Sequence, residues 1–228
     1  MDRESFLSSV AARLGRQRHQ APSTRVAVGV PSFHGEASLG ADLVERFALE
    51  LAAVGGECVS LGAGESVGDA LHAVLERFDA KRIVTWARSE LSRFELARLW
   101  ARGASAFLDP GLSSEEELRA RLLEADVGIT AVDYALAETG TLVLSAAGTR
   151  PRGVSLLPSL HVALVEERQI VPRLGDALAA FSSLAERGVM PSAVHFVTGP
   201  SRTSDIENDL TIGVHGPAAV VAIVRRSA

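Results

Sequence analysis

Cysteine, lysine and tyrosine each occur once in this chain of 228 residues, and only 5% of it is aromatic. These scarcities remove whole classes of explanation. One thiol, Cys58, cannot build an intramolecular disulfide framework or supply the cysteines of an iron–sulfur cluster. It falls in an expected strand, Glu57 to Leu61, where it reads as a small apolar residue. With Lys81 the sole lysine, positive charge is carried by arginines interleaved with acids, and the net charge is −5. That is no footprint for nucleic acid. No apolar run approaches the ~20 residues of a membrane span. The opening residues lack a continuous apolar stretch and a small-residue cleavage site, so a cytoplasmic protein is expected. No two histidines have metal-ligand spacing, and no metal site is expected.

What is present is 47% hydrophobic and 22% charged residues, enough for a full core. Asp2 to Arg18 reads as an amphipathic helix, with Phe6, Leu7, Val10 and Leu14 at helical spacing. Residues 17 to 24 read as a linker, which gives an N-terminal segment, 1–24, and a single α/β domain, 25–228. From Arg25 onward strands and helices alternate. Strands are expected at 26–30, 57–61, 82–85, 105–108 and 127–130. Helices are expected at 41–54, 67–78 and 91–101, and after Ser113 or Ser114, where three glutamates suit the first turn. Short connections and near-continuous apolar strands argue a mainly parallel sheet with helices on both faces.

The second half is richer in strands, expected at 142–145, 161–166, 170–171, 194–197, 210–212 and 220–224, with one clear helix over 175–187. A short helix is expected at 131–137. Val162 to Val165 and Ile170-Val171 look like a hairpin, so an antiparallel addition is expected.

Two polar, glycine-containing runs interrupt these apolar segments. The first, Ala137-Glu138-Thr139-Gly140-Thr141, holds a carboxylate at a turn where glycine frees the backbone. Glu138 there suits a nucleophile, a general base or a ligand acceptor; equally, it and the threonines suit a turn satisfying local amides. Asp133 suits a helix cap. The second run, Thr198 to Glu207, offers hydroxyls from Ser201, Thr203 and Ser204, the charge of Arg202, and Gly199 and Asp205 beside them. Directly after a buried strand, these make an anion-site candidate. It has neither a P-loop nor a dinucleotide fingerprint. His215 and Gly216-Pro217 are placed to close over it. Between the runs, Arg150 and Arg152 lie in a glycine- and proline-bounded loop, where a guanidinium suits a phosphate or carboxylate, or a nearby acid. His161, beside an apolar run, reads as structural.

Gly128-Ile129-Thr130, the run 137–141, Leu157-Pro158 with His161, and the run 198–207 together resemble the LUD-domain family and, within it, the lactate-utilisation protein C group. The resemblance spans roughly residues 25 to 226 and is most specific in the second half. It implies a fold like the NagB/RpiA/CoA-transferase superfamily and a role in oxidising L-lactate to pyruvate beside two iron–sulfur partner proteins, of A and B type. With one cysteine in this chain, any cluster is expected in those partners, and no cofactor on this chain by itself. An anionic small molecule is the expected ligand, in a pocket that the runs 137–141 and 198–207 form together around Glu138, Thr139, Gly140 and Arg202. Glu138 is the catalytic candidate and Arg202 the anion contact, and a homo-oligomer remains open. Two other readings stay open: an independent enzyme of CoA-transferase or sugar-phosphate isomerase type using Glu138, and a non-catalytic assembly subunit.

Overall fold

The computed structural model describes residues 2–15, 42–106, 114–204 and 210–227. The chain divides into two units, 1–37 and 38–228. In the first, helix α1 (Arg3–Arg13) starts at Asp2, whose side chain accepts from the Ser5 amide at 2.9 Å. The expected strand at 26–30 and the linker from residue 17 lie outside the described residues.

The second unit opens with helix α2 (Leu43–Ala53), capped by Asp42, whose carboxylate accepts from the amides of Val44 and Glu45. Val44, Phe47 and Leu51 form its buried stripe. Strand β1 (Glu57–Leu61) follows, then α3 (Val67–Arg77), capped by Ser66, and β2 (Ile83–Thr85). Helices α4 (Arg88–Leu91) and α5 (Ala97–Ala101) lead to β3 (Ser105–Ala106). Helix α6 (Glu115–Glu124) is capped by Ser114, and β4 (Val127–Ala131) follows. Strands β5 (Tyr134–Leu136) and β6 (Thr141–Ala146) precede the short helix α7 (Gly153–Leu156) and β7 (Leu160–Glu166). The chain continues through β8 (Ile170–Val171), α8 (Leu174–Glu186), β9 (Ala193–Val197), β10 (Arg202–Ser204), β11 (Leu210–Ile212) and β12 (Ala219–Arg225).

Six strands pair in parallel in the order β1-β12-β7-β4-β2-β3. The middle strands are buried on both faces, which explains why β7 and β12 read as unbroken apolar runs. A second sheet, β8-β5-β6-β9, is antiparallel except for the β5–β8 pair. The result is the mixed α/β architecture with an antiparallel portion expected from the sequence.

Gly128 and His161 are neighbours in register on β4 and β7. A Cβ at Gly128 would lie 1.7 Å from the Val154 carbonyl oxygen, so glycine lets α7 sit directly on the strand. His161 is fully buried; its Nε2 bonds Thr130 Oγ1 at 2.9 Å, and burial pushes its pKa down to about 4.

Three local expectations fail. Residues 131–137 form no helix: β5 pairs with β6 as a hairpin across 137–140, and Asp133, rather than capping a helix, accepts from the Ser145 amide at 2.5 Å. Strands β7 and β8 are not a hairpin. A 3-10 turn at Glu167–Gln169 carries the chain out of the parallel sheet, and β8 pairs with β5 instead. The helix expected at 91–101 is broken, because Glu95 takes a left-handed φ of 55° after a 3-10 turn that buries Phe94.

Candidate functional site

Both polar runs end up at the C-terminus of α2. Gly140, at φ +61°, closes the β5–β6 turn, and a Cβ there would meet the Leu51 backbone nitrogen at 2.2 Å. Gly199, at φ +79°, approaches the Val54 carbonyl oxygen, and its Cβ would lie 2.6 Å away. At both positions a side chain would hold the backbone off the helix. Thr141 Oγ1 links the runs, bonding Thr139 Oγ1 at 2.7 Å and Thr198 Oγ1 at 2.9 Å. Arg202 donates from Nη2 to the Val54 carbonyl at 2.7 Å, a cation on the negative end of the α2 dipole. The Ser201 amide donates to Pro217 O, and Ser201 O accepts from the Gly213 amide. Thr203 lies in the β10–β11 ladder opposite Thr211. The Glu138 amide donates to Pro172 O, and its carboxylate stands 3.6 Å from Arg173 Nε. Asp205 and the Ser204 side chain lie outside what is described. His215 is exposed.

A cavity of about 560 Å³ lies elsewhere, and Arg150 is the residue of the sequence-derived set that lines it. Its floor is Trp86, directly after β2, with Ala131 and Val132 at the end of β4. From β2 the chain proceeds outward to β3; after β4 it passes through β5 and β6 of the second sheet and re-enters this one on the other side, as β7. The cavity therefore opens where adjacent parallel strands send their connections in opposite directions, the position at which open α/β sheets hold ligands. Its size falls in the range of small-molecule sites.

The polar wall is a charge network. Arg150 donates from Nε to Glu90 at 2.8 Å and from Nη1 to Asp133 at 2.9 Å, while Thr149 Oγ1 donates to Glu90 at 2.6 Å. Burial by itself would raise the Glu90 carboxyl, but these hydrogen bonds hold it below its usual value. Burial works against the Arg150 charge too, and Glu90 and Asp133 outweigh it, raising its pKa. Arg150 thus has its donors engaged by acids.

Arg93 does not. Its Nε stands 3.1 Å from Glu166, but among the described residues its guanidinium makes no hydrogen bond. Glu166 is shared with Arg168 and Arg225, at 2.8 and 2.6 Å, so it is over-supplied with cations. Burial lowers the Arg93 pKa, with Glu166 opposing. Trp86 Nε1, in a residue 2% exposed, has no hydrogen-bond partner among the described residues. The lining also has an apolar part from α8 and the segment after it, including Phe181, Leu184 and Met190. Among the described residues no three His, Cys, Asp or Glu side chains gather as metal ligands.

Sequence reasoning named Arg150 and noted Asp133, but missed Trp86, Glu90, Arg93 and Gln169. A usable signal existed for two of them: Trp86 directly follows the apolar strand 83–85, and Glu90 comes four residues after it in the short helix α4, at the strand end where ligands bind.

Sheet and cavity together define an α/β protein with a crevice at its strand ends. Comparison with known proteins narrows this. The LUD domain family model matches residues 44–224. A protein named Lactate utilization protein C from Halalkalibacterium halodurans is 33% identical over 224 residues, covering 97% of this chain and 96% of its own length. One of the same name from Bacillus subtilis is 30% identical over 236 residues, covering 98% and 95%. A crystal structure of a DUF162 family protein from Deinococcus radiodurans superposes with a TM-score of 0.56 at 20% identity, over 80% of this chain and 96% of that one. The chain belongs to the LUD domain family.

Proposed function

We propose that this protein serves lactate utilisation, as a component of a cytoplasmic system that oxidises L-lactate to pyruvate. The observation that carries this reading is 33% identity across nearly the whole length of a relative named for that role. Electron transfer in such a system falls to iron–sulfur partners of A and B type. The single thiol here, Cys58, is half-buried, its pKa is pushed up to about 11 by desolvation, and a thiol in that state is a poor ligand or nucleophile. Among the described residues no helix is long and apolar enough to cross a membrane.

Within that role the switch-point cavity holds a small carboxylate. The bottom-up argument is one of available charge. Arg202 is committed to a helix carbonyl and Arg150 to two acids, whereas Arg93 keeps donors free beside an acid that has two other arginines. A carboxylate on Arg93 supplies the charge-assisted hydrogen bonds that its ion pair with Glu166 leaves unmade.

The test is genetic and biochemical together. Deleting the gene should abolish growth on L-lactate as sole carbon source while sparing growth on glucose, and the tagged protein should co-purify with iron–sulfur proteins. Normal growth of the deletion strain on L-lactate would refute the proposal.

A further inference from the structure

The cavity is far larger than lactate requires. With its carboxylate on Arg93, a three-carbon hydroxy acid presents one methyl group to a wall of Tyr134, Phe181, Leu184, Val189, Met190 and Pro191. Tyr134 and Phe181 meet edge to face, with ring centroids 6.0 Å apart, and so build a rigid aromatic corner. Val189 and Met190 are 63% and 55% exposed, apolar side chains held at the cavity margin facing water. Arg93, whose guanidinium makes no hydrogen bond among the described residues, lines the same cavity. A cavity lined by an arginine and by an uncovered apolar surface is complementary to an amphipathic anion.

We propose that this cavity binds 2-hydroxy or 2-oxo carboxylates bearing a branched or aryl side chain, and binds them more tightly than lactate. The inference rests on the cavity being the carboxylate site argued above. The carboxylate pairs with Arg93, and the side chain covers the Phe181–Met190 wall. The same subunit thereby serves a broader set of hydroxy acids than the one for which its relatives are named.

Calorimetric titration of the full chain with L-lactate, L-2-hydroxy-4-methylpentanoate and L-3-phenyllactate tests this. The branched acid adds three carbons to lactate. At about fourfold per fully buried CH₂, the gain is at most about sixtyfold, and at least about tenfold is expected at a wall that stays partly open. Met190→Asp, at an exposed position where folding is unaffected, should cut the phenyllactate-to-lactate affinity ratio to about threefold or less by charging the apolar wall. Arg93→Gln should weaken all three acids by about tenfold or more; Glu166 keeps Arg168 and Arg225, so the fold survives the change. Equal affinities across the series, tighter binding of lactate, or a ratio unchanged by Met190→Asp would overturn the proposal. If lactate binds through Arg93 and the series is flat, this proposal falls while the carboxylate site stands. If no acid binds, both fall, and the growth test above still decides the pathway.

Discussion

Replacing Gly140 with alanine should be among the most damaging single-methyl changes in this protein. Two independent costs arise. At φ +61° the new Cβ brings the left-handed penalty of about 1–2 kcal/mol. The same atom would sit 2.2 Å from the Leu51 nitrogen and 2.5 Å from the Glu50 carbonyl carbon, which are helix backbone and cannot rotate away. Overpacking of that kind costs about 1–3 kcal/mol. The sum, about 2–5 kcal/mol, is a large part of the roughly 5–15 kcal/mol that holds a typical domain folded. Gly148 is the matched control, since its Cβ would meet nothing within 4 Å and its φ is not in the positive range. Gly148→Ala should therefore change stability by no more than about 0.5 kcal/mol. Urea unfolding, followed by far-UV circular dichroism, reads both midpoints. The reasoning is refuted if Gly140→Ala and Gly148→Ala unfold at the same urea concentration.

Three further outcomes are expected. His161 is held at about pKa 4 against an ordinary 6.5, so the unfolded chain takes up a proton that the native state excludes. Stability is then complete above pH 6.5 and falls as pH drops toward 4, by at most about 3 kcal/mol at about 1.4 kcal/mol per unit. Urea midpoints at pH 7 and 5 should differ less in His161→Gln than in the parent, and equal slopes would contradict this. Arg150→Met strands the half-buried carboxylates of Glu90 and Asp133 and should cost about 2 kcal/mol or more, with partial recovery when Glu90 is also changed to Gln; a neutral Arg150→Met would show the network to be idle. Glu138→Gln removes only a 3.6 Å ion pair with Arg173 and should shift stability by less than about 1 kcal/mol and leave carboxylate binding intact. Loss of binding or of lactate oxidation in that variant would restore Glu138 as the reactive group.

Where the sequence was read correctly, the signal was local. The helices over 41–54 and 67–78 and the one opening at Ser114 stand where they were expected, and β7 and β12 announced themselves as apolar runs. The misreadings came from pairing partners remote in the chain. Tyr134-Ala135-Leu136 is a strand because β6 lies beside it, and Ile170-Val171 leaves β7 because β5 offers a free edge. The two polar turns were visible and were expected to share one place, but the Thr141–Thr198 hydrogen bond that joins them was not. Nor was the reason for their glycines, which is close approach to the α2 backbone. The cavity was the least legible part. Trp86, Arg93, Asp133, Arg150 and Met190 span more than a hundred positions, and only the reversal of strand order between β2 and β4 brings them to one place.

The central claim is that the ligand's carboxylate is met by Arg93 in the crevice between β2 and β4. Titrating pyruvate into the parent, Arg93→Gln and Arg202→Gln under identical conditions tests it most directly. The expected result is binding lost or weakened at least about tenfold in Arg93→Gln and unchanged in Arg202→Gln. The reverse pattern, with Arg202→Gln deficient and Arg93→Gln normal, would contradict it and move the site to the polar turns on α2.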